Sequence, residues 1–143
     1  MPAAPARRPA TTAKERDLSR PLPAGLSWTT LALFTPALVL AWTLVPLPWW
    51  VPAAYGAMSV IAFAAYGLDK LAARKGWNRV SESTLLALGL LCGWPGALIA
   101  QQLFRHKTRK RAFRRPFWGT VVLNVVALGA FATIVAAGIL PLT

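Results

Sequence analysis

The sequence is poor in the residues that most catalytic and metal sites use. Its 143 residues include one cysteine, one histidine and four acids, against 16 lysines and arginines. A single cysteine, Cys92, excludes an intrachain disulfide. One histidine and no clustered carboxylates exclude zinc and iron sites with the usual number of ligands, so no metal or cofactor is expected.

Charge is also scarce, and it is almost all of one sign. Charged residues make up 14% of the chain and hydrophobic residues 56%, whereas soluble globular domains carry about 25% charged residues. The net charge of +12 indicates a negatively charged partner. Long apolar runs place a chain in a bilayer, where anionic phospholipid is present, but they do not favour nucleic acid. We therefore expect the bilayer and its anionic phospholipid as the partner.

Long uncharged runs predict an all-α, polytopic membrane protein. Residues 21–68 carry no charge and are long enough for two helices of about 20 residues, with a turn at the prolines of residues 46–52. The predicted spans are residues 28–45, 52–68, 85–104 and 117–140. Residues 1–27, with five prolines and five basic residues, are predicted to form a disordered tail before a helical membrane domain over residues 28–143.

The distribution of basic residues conflicts with four simple crossings. The tail has five Lys or Arg residues, the proline turn none, residues 69–82 four and residues 105–115 seven. Basic loops stay in the cytoplasm, so the tail and both later loops should lie there, in the bacterial inner membrane. A crossing over residues 85–104 would put the most basic loop outside. Because residues 93–96 (Gly-Trp-Pro-Gly) should break a helix, we keep two alternatives open: a re-entrant segment, or a kinked fourth span.

The strongest candidate site is the cationic cluster that follows two glutamines. Amide and guanidinium donors in this order suit phosphate oxygens. The residues are Gln101, Gln102, Arg105, His106, Lys107, Arg109 and Lys110. Asp69 comes at a predicted membrane boundary, where an unpaired charge is costly, so it should pair with Arg79, Arg105 or Arg109. Asn124 in the last span is expected to form an interhelical hydrogen bond.

Four short motifs together resemble a bacterial family catalogued as domain of unknown function 1294, over about residues 55–125. They are Tyr66-Gly67-Leu68-Asp69-Lys70, Arg79-Val80-Ser81-Glu82, Gly93-Trp94-Pro95-Gly96-Ala97 and Phe104-Arg105-His106-Lys107-Thr108-Arg109-Lys110, followed by Phe113. The resemblance implies a membrane protein and supplies no reaction. It marks as candidate site residues Asp69, Lys70, Glu82, Trp94, Pro95, Arg105, His106, Lys107 and Lys110. Some relatives carry a cold-shock nucleic-acid-binding module, but residues 1–27 lack its strand pattern, so direct nucleic-acid binding is not expected.

The leading expectation is a binding function. The cations would hold an anionic lipid headgroup or another phosphate-bearing ligand, steadied by Asp69 and Glu82 and walled by Trp94 and Pro95. One alternative is a small membrane enzyme, such as a lipid-modifying transferase, in which His106 or Asp69 moves a proton. Another is a membrane partner of nucleic-acid-binding proteins. Small residues on several helix faces also make a homo-oligomer an expectation.

Overall fold

A computed structural model describes residues 23–104 and 111–139, and every secondary-structure element in these ranges is helical. The predicted tail therefore falls largely outside the described residues. The helices are α1 (Ala24–Leu44), α2 (Trp50–Lys75), α3 (Glu82–Leu88), α4 (Trp94–Phe104) and α5 (Arg111–Ala136). A short irregular segment, Gly89–Gly93, joins α3 to α4 and is called the tip below.

Local sequence explains where these helices begin and end. Val45 is extended before Pro46, and α2 starts with Pro52 in its first turn, where a missing backbone N–H costs nothing. Gly76 ends α2 in the left-handed conformation, with φ of 68°. Ser81 caps α3, because its side chain accepts a 3.1 Å hydrogen bond from the Thr84 backbone N–H.

Contacts between rings fix the directions of the long helices. The ring centroids of Tyr66 and Phe113 are 6.2 Å apart, and those of Trp50 and Phe131 are 5.8 Å apart. Position along α2 therefore falls as position along α5 rises, so the two helices are antiparallel. The ring centroids of Phe34 and Tyr55 are 5.1 Å apart, so the middle of α1 packs against the first part of α2.

The segment from α3 to α4 turns back on itself. Arg79, just before α3, lies 3.5 Å from Asp69, and the carbonyl oxygen of Phe104, the last residue of α4, accepts a 2.7 Å hydrogen bond from Lys70. Asp69 and Lys70 are neighbours on α2, whereas a continuous 23-residue helix would separate its ends by about 35 Å. The segment Glu82–Phe104 is thus a re-entrant hairpin, one of the two alternatives that the sequence left open.

The reversal takes place at two residues of the tip. Leu91 (φ −83°, ψ 43°) and Cys92 (φ 70°, ψ 3°) leave the helical conformation. Two glycines then let α4 pack closely against α2: a Cβ atom on Gly96 would overlap the backbone of Ser59, and one on Gly93 would lie 2.8 Å from the Met58 carbonyl oxygen. These glycines set the spacing between the hairpin and α2.

The exterior is apolar, and the packed interior lies around the hairpin. Leu33, Val60 and Val126 are more than 60% exposed, a surface that suits lipid and not water. Four segments are long and apolar enough to cross a membrane, Glu82–Phe104 among them. Because that segment doubles back, the described residues form three helices that can cross, plus the hairpin. The chain is a helical membrane protein.

All the described residues with charged side chains lie at one end of this bundle. The end of α2, the start of α3, the end of α4 and the start of α5 meet there, and we call it the basic end. It includes Lys70, Arg74, Lys75, Arg79, Arg114 and Arg115. The opposite end, formed by the turn before Trp50 and the residues after Ala136, has no charged residue as far as Ile139.

Candidate functional site at the basic end

Asp69 is the buried charge of the basic end. Its side chain is 0% exposed, and the Nε atom of Arg79 lies 3.5 Å from its Oδ1 atom. Arg79 is one of the three partners that the sequence indicated, and it reaches Asp69 because the left-handed Gly76 turns the chain back beside α2. Pairing offsets part of the cost of removing a carboxylate from water and fixes the entry to the hairpin.

Lys70 holds the other end of the hairpin. Its Nζ atom donates a 2.7 Å hydrogen bond to the Phe104 carbonyl oxygen and lies 5.4 Å from the centroid of the Phe104 ring. The last carbonyls of a helix lack partners within the helix and carry partial negative charge, so a cation is well placed there. An ammonium group has three donors, so two of them remain for other acceptors.

A groove of about 200 Å³ opens beside Lys70. It is lined by Gly67, Lys70, Leu71, Arg74 and Phe104. Lys70 and Arg74 are four residues apart and so lie on one face of α2. Gly67 lies close to the Phe104 ring, which would be in ordinary van der Waals contact, at 3.5 Å, with a Cβ atom at that position. The groove thus combines two cations with an apolar floor, which suits an anionic group attached to a hydrocarbon.

The two predicted glutamines tie α4 to its neighbours. Gln101 is buried, and its Nε2 atom donates to the Tyr66 hydroxyl oxygen at 3.2 Å. The Nε2 atom of Gln102 donates to the Ser27 hydroxyl oxygen at 2.9 Å. Neither residue lines the groove, so their amides position the hairpin between α1 and α2.

The remaining predicted site residues divide into three groups. Glu82 lies in the first turn of α3, at the basic end. Trp94 and Pro95 begin α4 at the tip, and seven residues of helix, or about 10 Å, separate Trp94 from Gln101. The structure therefore does not place Trp94 and Pro95 as a wall of the groove. The rest of the predicted cluster lies outside the described residues: Arg105, His106, Lys107, Arg109 and Lys110.

Asn124 anchors the tip from α5. Its Oδ1 atom accepts hydrogen bonds from the Tyr55 hydroxyl at 2.6 Å and from the Trp94 indole at 3.0 Å, and its Nδ2 atom donates to the Leu90 carbonyl oxygen at 2.7 Å. The Sγ atom of Cys92 lies 3.6 Å from the same Nδ2 atom. This tip cluster joins α2, α5 and both sides of the turn.

Sequence reasoning missed the two tyrosines, Ser27, Arg74 and Phe104. Tyr55 and Tyr66 are 11 residues apart, or about three helical turns, so their hydroxyl groups lie on one face of α2. Two tyrosine hydroxyl groups on one face of an uncharged helix indicate hydrogen-bonding side chains on the neighbouring helices. Ser27 carried no comparable pattern.

Chemically, the basic end can bind an anion. In residues 23–104 and 111–139, no three His, Cys, Asp or Glu side chains form a group that could hold a metal ion. The donors that line the groove are the ammonium group of Lys70 and the guanidinium group of Arg74, which bind phosphate or carboxylate oxygens.

Comparison with known proteins supports the resemblance to an uncharacterised family. A family model described as "Protein of unknown function (DUF1294)" matches residues 59–113. The match runs from Ser59 in α2, through the whole hairpin, to Phe113 near the beginning of α5. It therefore includes the groove and the Asp69–Arg79 pair. No curated protein and no solved structure matches the chain.

Proposed function

We propose that this chain is a bacterial cytoplasmic-membrane protein that binds the phosphate of an anionic phospholipid headgroup in the groove at its basic end. The observation that carries the proposal is the groove itself, which is lined by the cations Lys70 and Arg74 together with the apolar side chains of Leu71 and Phe104. The phosphate would bind to the two cations, and the first carbons of its lipid would lie on the apolar floor of the groove.

The charge distribution supports a cytoplasmic position for the basic end. Because the hairpin returns to the end from which it entered, the segments that follow α2 and α4 both lie on one side. The tail, residues 69–82 and residues 105–115 together hold all the lysines and arginines of the chain. Basic loops favour the cytoplasmic side, where anionic lipid also gives the membrane surface a negative potential.

The cations that follow Phe104 extend the proposed site. Arg105 directly follows the groove residue Phe104 in the sequence. We propose that His106, Lys107, Arg109 and Lys110 increase the attraction for the headgroup as a set, whereas Lys70 and Arg74 determine where the phosphate lies. Buried Asp69 positions Arg79 and the hairpin, and Glu82 lies in the first turn of α3, at the same end of the bundle.

The test is a binding titration on the full chain in a neutral detergent. Phosphatidylglycerol should raise the thermal unfolding midpoint in a saturable way, whereas phosphatidylcholine should not. Arg74→Gln should raise the phosphatidylglycerol concentration needed for half of the stabilisation about fivefold. This is the change in affinity expected from about 1 kcal/mol per cation near an anionic lipid. Lys75→Gln is the matched control, because Lys75 carries the same charge on the same helix but stacks over Trp77, 4.6 Å from its ring centroid.

Three outcomes would contradict the proposal. Equal effects of Arg74→Gln and Lys75→Gln would mean that total charge, and not the groove, attracts the lipid. Equal stabilisation by phosphatidylcholine would remove the role of the anion. If inorganic phosphate or glycerol phosphate gave the full effect, the ligand would be a soluble phosphate. His106→Gln should leave the titration nearly unchanged, whereas the enzyme alternative makes His106 essential to turnover.

A further inference from the structure

The hairpin fills the space between α2 and α5 only part of the way from the basic end. Its tip reaches the level of Tyr55 and Asn124, where Cys92 and Trp94 contact them. Beyond that level, towards the opposite end, a crevice of about 180 Å³ remains between the two helices. Trp50 and Phe131 flank its mouth, with ring centroids 5.8 Å apart.

The walls and floor of this crevice indicate an apolar occupant. Ala54 and Val51 line one wall, Ala127 and Leu128 line the other, and almost all of the lining surface is apolar. The floor is polar but satisfied, because Asn124 uses its oxygen for Tyr55 and Trp94 and its amide group for the Leu90 carbonyl oxygen. Because Asn124 already has these hydrogen-bond partners, a ligand in the crevice does not need to supply one.

The size of the crevice and the surroundings of the chain identify the occupant. The crevice is open at its mouth and its walls are apolar, so in a bilayer lipid can reach it, and apolar walls without a neighbour lose packing contacts. We propose that the crevice binds the first carbons of the alkyl chain of a membrane lipid, which enter from the opposite end and meet the tip. The Trp50 ring, half exposed at the mouth, matches the headgroup level of that leaflet. This site is separate from the groove at the basic end.

Photocrosslinking tests the proposal in vesicles of phosphatidylcholine that carries a diazirine on one acyl chain, a few carbons from the ester. The probe is placed there because Trp50 at the mouth and Tyr55 at the floor are five residues, or about 8 Å, apart along α2. After illumination of the reconstituted full chain, mass spectrometry maps the adducts. We expect adducts at the floor, on Tyr55, Cys92 and their neighbours, in addition to those on exposed residues such as Val126. Ala54→Leu, which fills the crevice, should reduce the floor adducts at least about threefold relative to the adducts at Val126.

Two controls make the result specific. Ala53→Leu adds the same side chain to the neighbouring, exposed position of α2 and should leave the floor adducts unchanged. Arg74→Gln should also leave them unchanged, so that failure of the lipid headgroup site and failure of the crevice site can be told apart. Circular dichroism and the thermal midpoint verify that the variants fold.

Other occupants would give different results, and each would overturn the proposal. Adducts confined to exposed residues, or floor adducts that Ala54→Leu does not reduce, would mean that no alkyl chain enters. Crosslinking of Cys92 to Cys92 of a second copy would identify the occupant as another protomer. Modification of Cys92 by a charged, water-soluble thiol reagent in intact vesicles would show a water-filled crevice.

Discussion

Asn124 illustrates how much one polar side chain contributes to a fold that lies in lipid. In hydrocarbon, neither the Tyr55 hydroxyl nor the Trp94 indole can turn to water for a partner, so both depend on the Asn124 oxygen. Its amide group donates a hydrogen bond to the Leu90 carbonyl oxygen, which belongs to the irregular backbone of the tip. One residue thus satisfies the polar groups that the chain reversal exposes.

We predict that Asn124→Leu lowers the free energy of unfolding by about 2 kcal/mol. Single interhelical hydrogen bonds in membranes contribute about 0.6 kcal/mol on average, and this change removes three of them while leaving buried groups unpaired. Denaturation with sodium dodecyl sulfate measures the effect. Thr120→Val is the control, because Thr120 bonds only to the Phe117 carbonyl oxygen of its own helix. Equal losses in the two variants would show that Asn124 does not anchor the tip.

The candidate site was predictable in its chemistry but only partly in its geometry. The cost of a charge at a membrane boundary indicated that Asp69 needs a partner, and Arg79 was among those named. The sequence indicated an interhelical bond for Asn124, yet its partners depend on how deep the hairpin goes. Trp94 and Pro95 were expected beside the cations, but they lie at the tip. The order of motifs along the chain does not show how deep in the membrane each motif lies. The cluster of residues 105–110 remains a prediction, since it lies outside the described residues.

Among the elements, the hairpin depends on close packing against α2. Gly96 has no space for a Cβ atom, because the backbone of Ser59 occupies that position. We predict that Gly96→Ala lowers the free energy of unfolding by about 1–3 kcal/mol, the usual cost of overpacking. Gly119→Ala on α5, where a Cβ atom would meet nothing within 4 Å, should leave it unchanged or slightly raise it. The thermal midpoint in detergent checks both, and a midpoint for Gly96→Ala at or above that of Gly119→Ala would contradict the packing.

The helices were predictable from hydropathy, but their ends were not. The predicted span ended at residue 68, whereas α2 continues to Lys75. Hydropathy marks the part of a helix that lies in hydrocarbon, and α2 extends beyond it because Lys and Arg residues are good helix formers whose charged ends reach water. The reversal was expected at residues 93–96, but Trp94 already begins α4, where Pro95 suits the first turn. The break falls at Leu91 and Cys92, directly before Gly93 and so at the edge of the predicted breaking segment.

For the whole molecule, the hairpin decides which side each loop faces. With three crossing helices, the segments after Gly76 and after Phe104 share one side, and the turn before Trp50 shares the other side with the residues after Ala136. A fourth crossing would move the loop after Phe104 to the side of that turn and would bring Gly138 to the side of Gly76. The number of crossings therefore has an unambiguous readout in intact cells.

We predict the three-crossing pattern from labelling of single cysteines with a membrane-impermeant thiol reagent. Cys92→Gly supplies the cysteine-free background, because glycine adopts the φ of 70° at that position without strain. Asn78→Cys and Thr108→Cys should be protected in intact cells and labelled after lysis, whereas Pro46→Cys and Gly138→Cys should be labelled from outside. Labelling of Thr108→Cys from outside, with protection of Gly138→Cys, would mean four crossings and would place the loop after Phe104 across the membrane from Lys70. Labelling of Asn78→Cys and Thr108→Cys together from outside would keep the hairpin but reverse the proposed orientation, so the experiment tests the fold and the cytoplasmic position of the basic end separately.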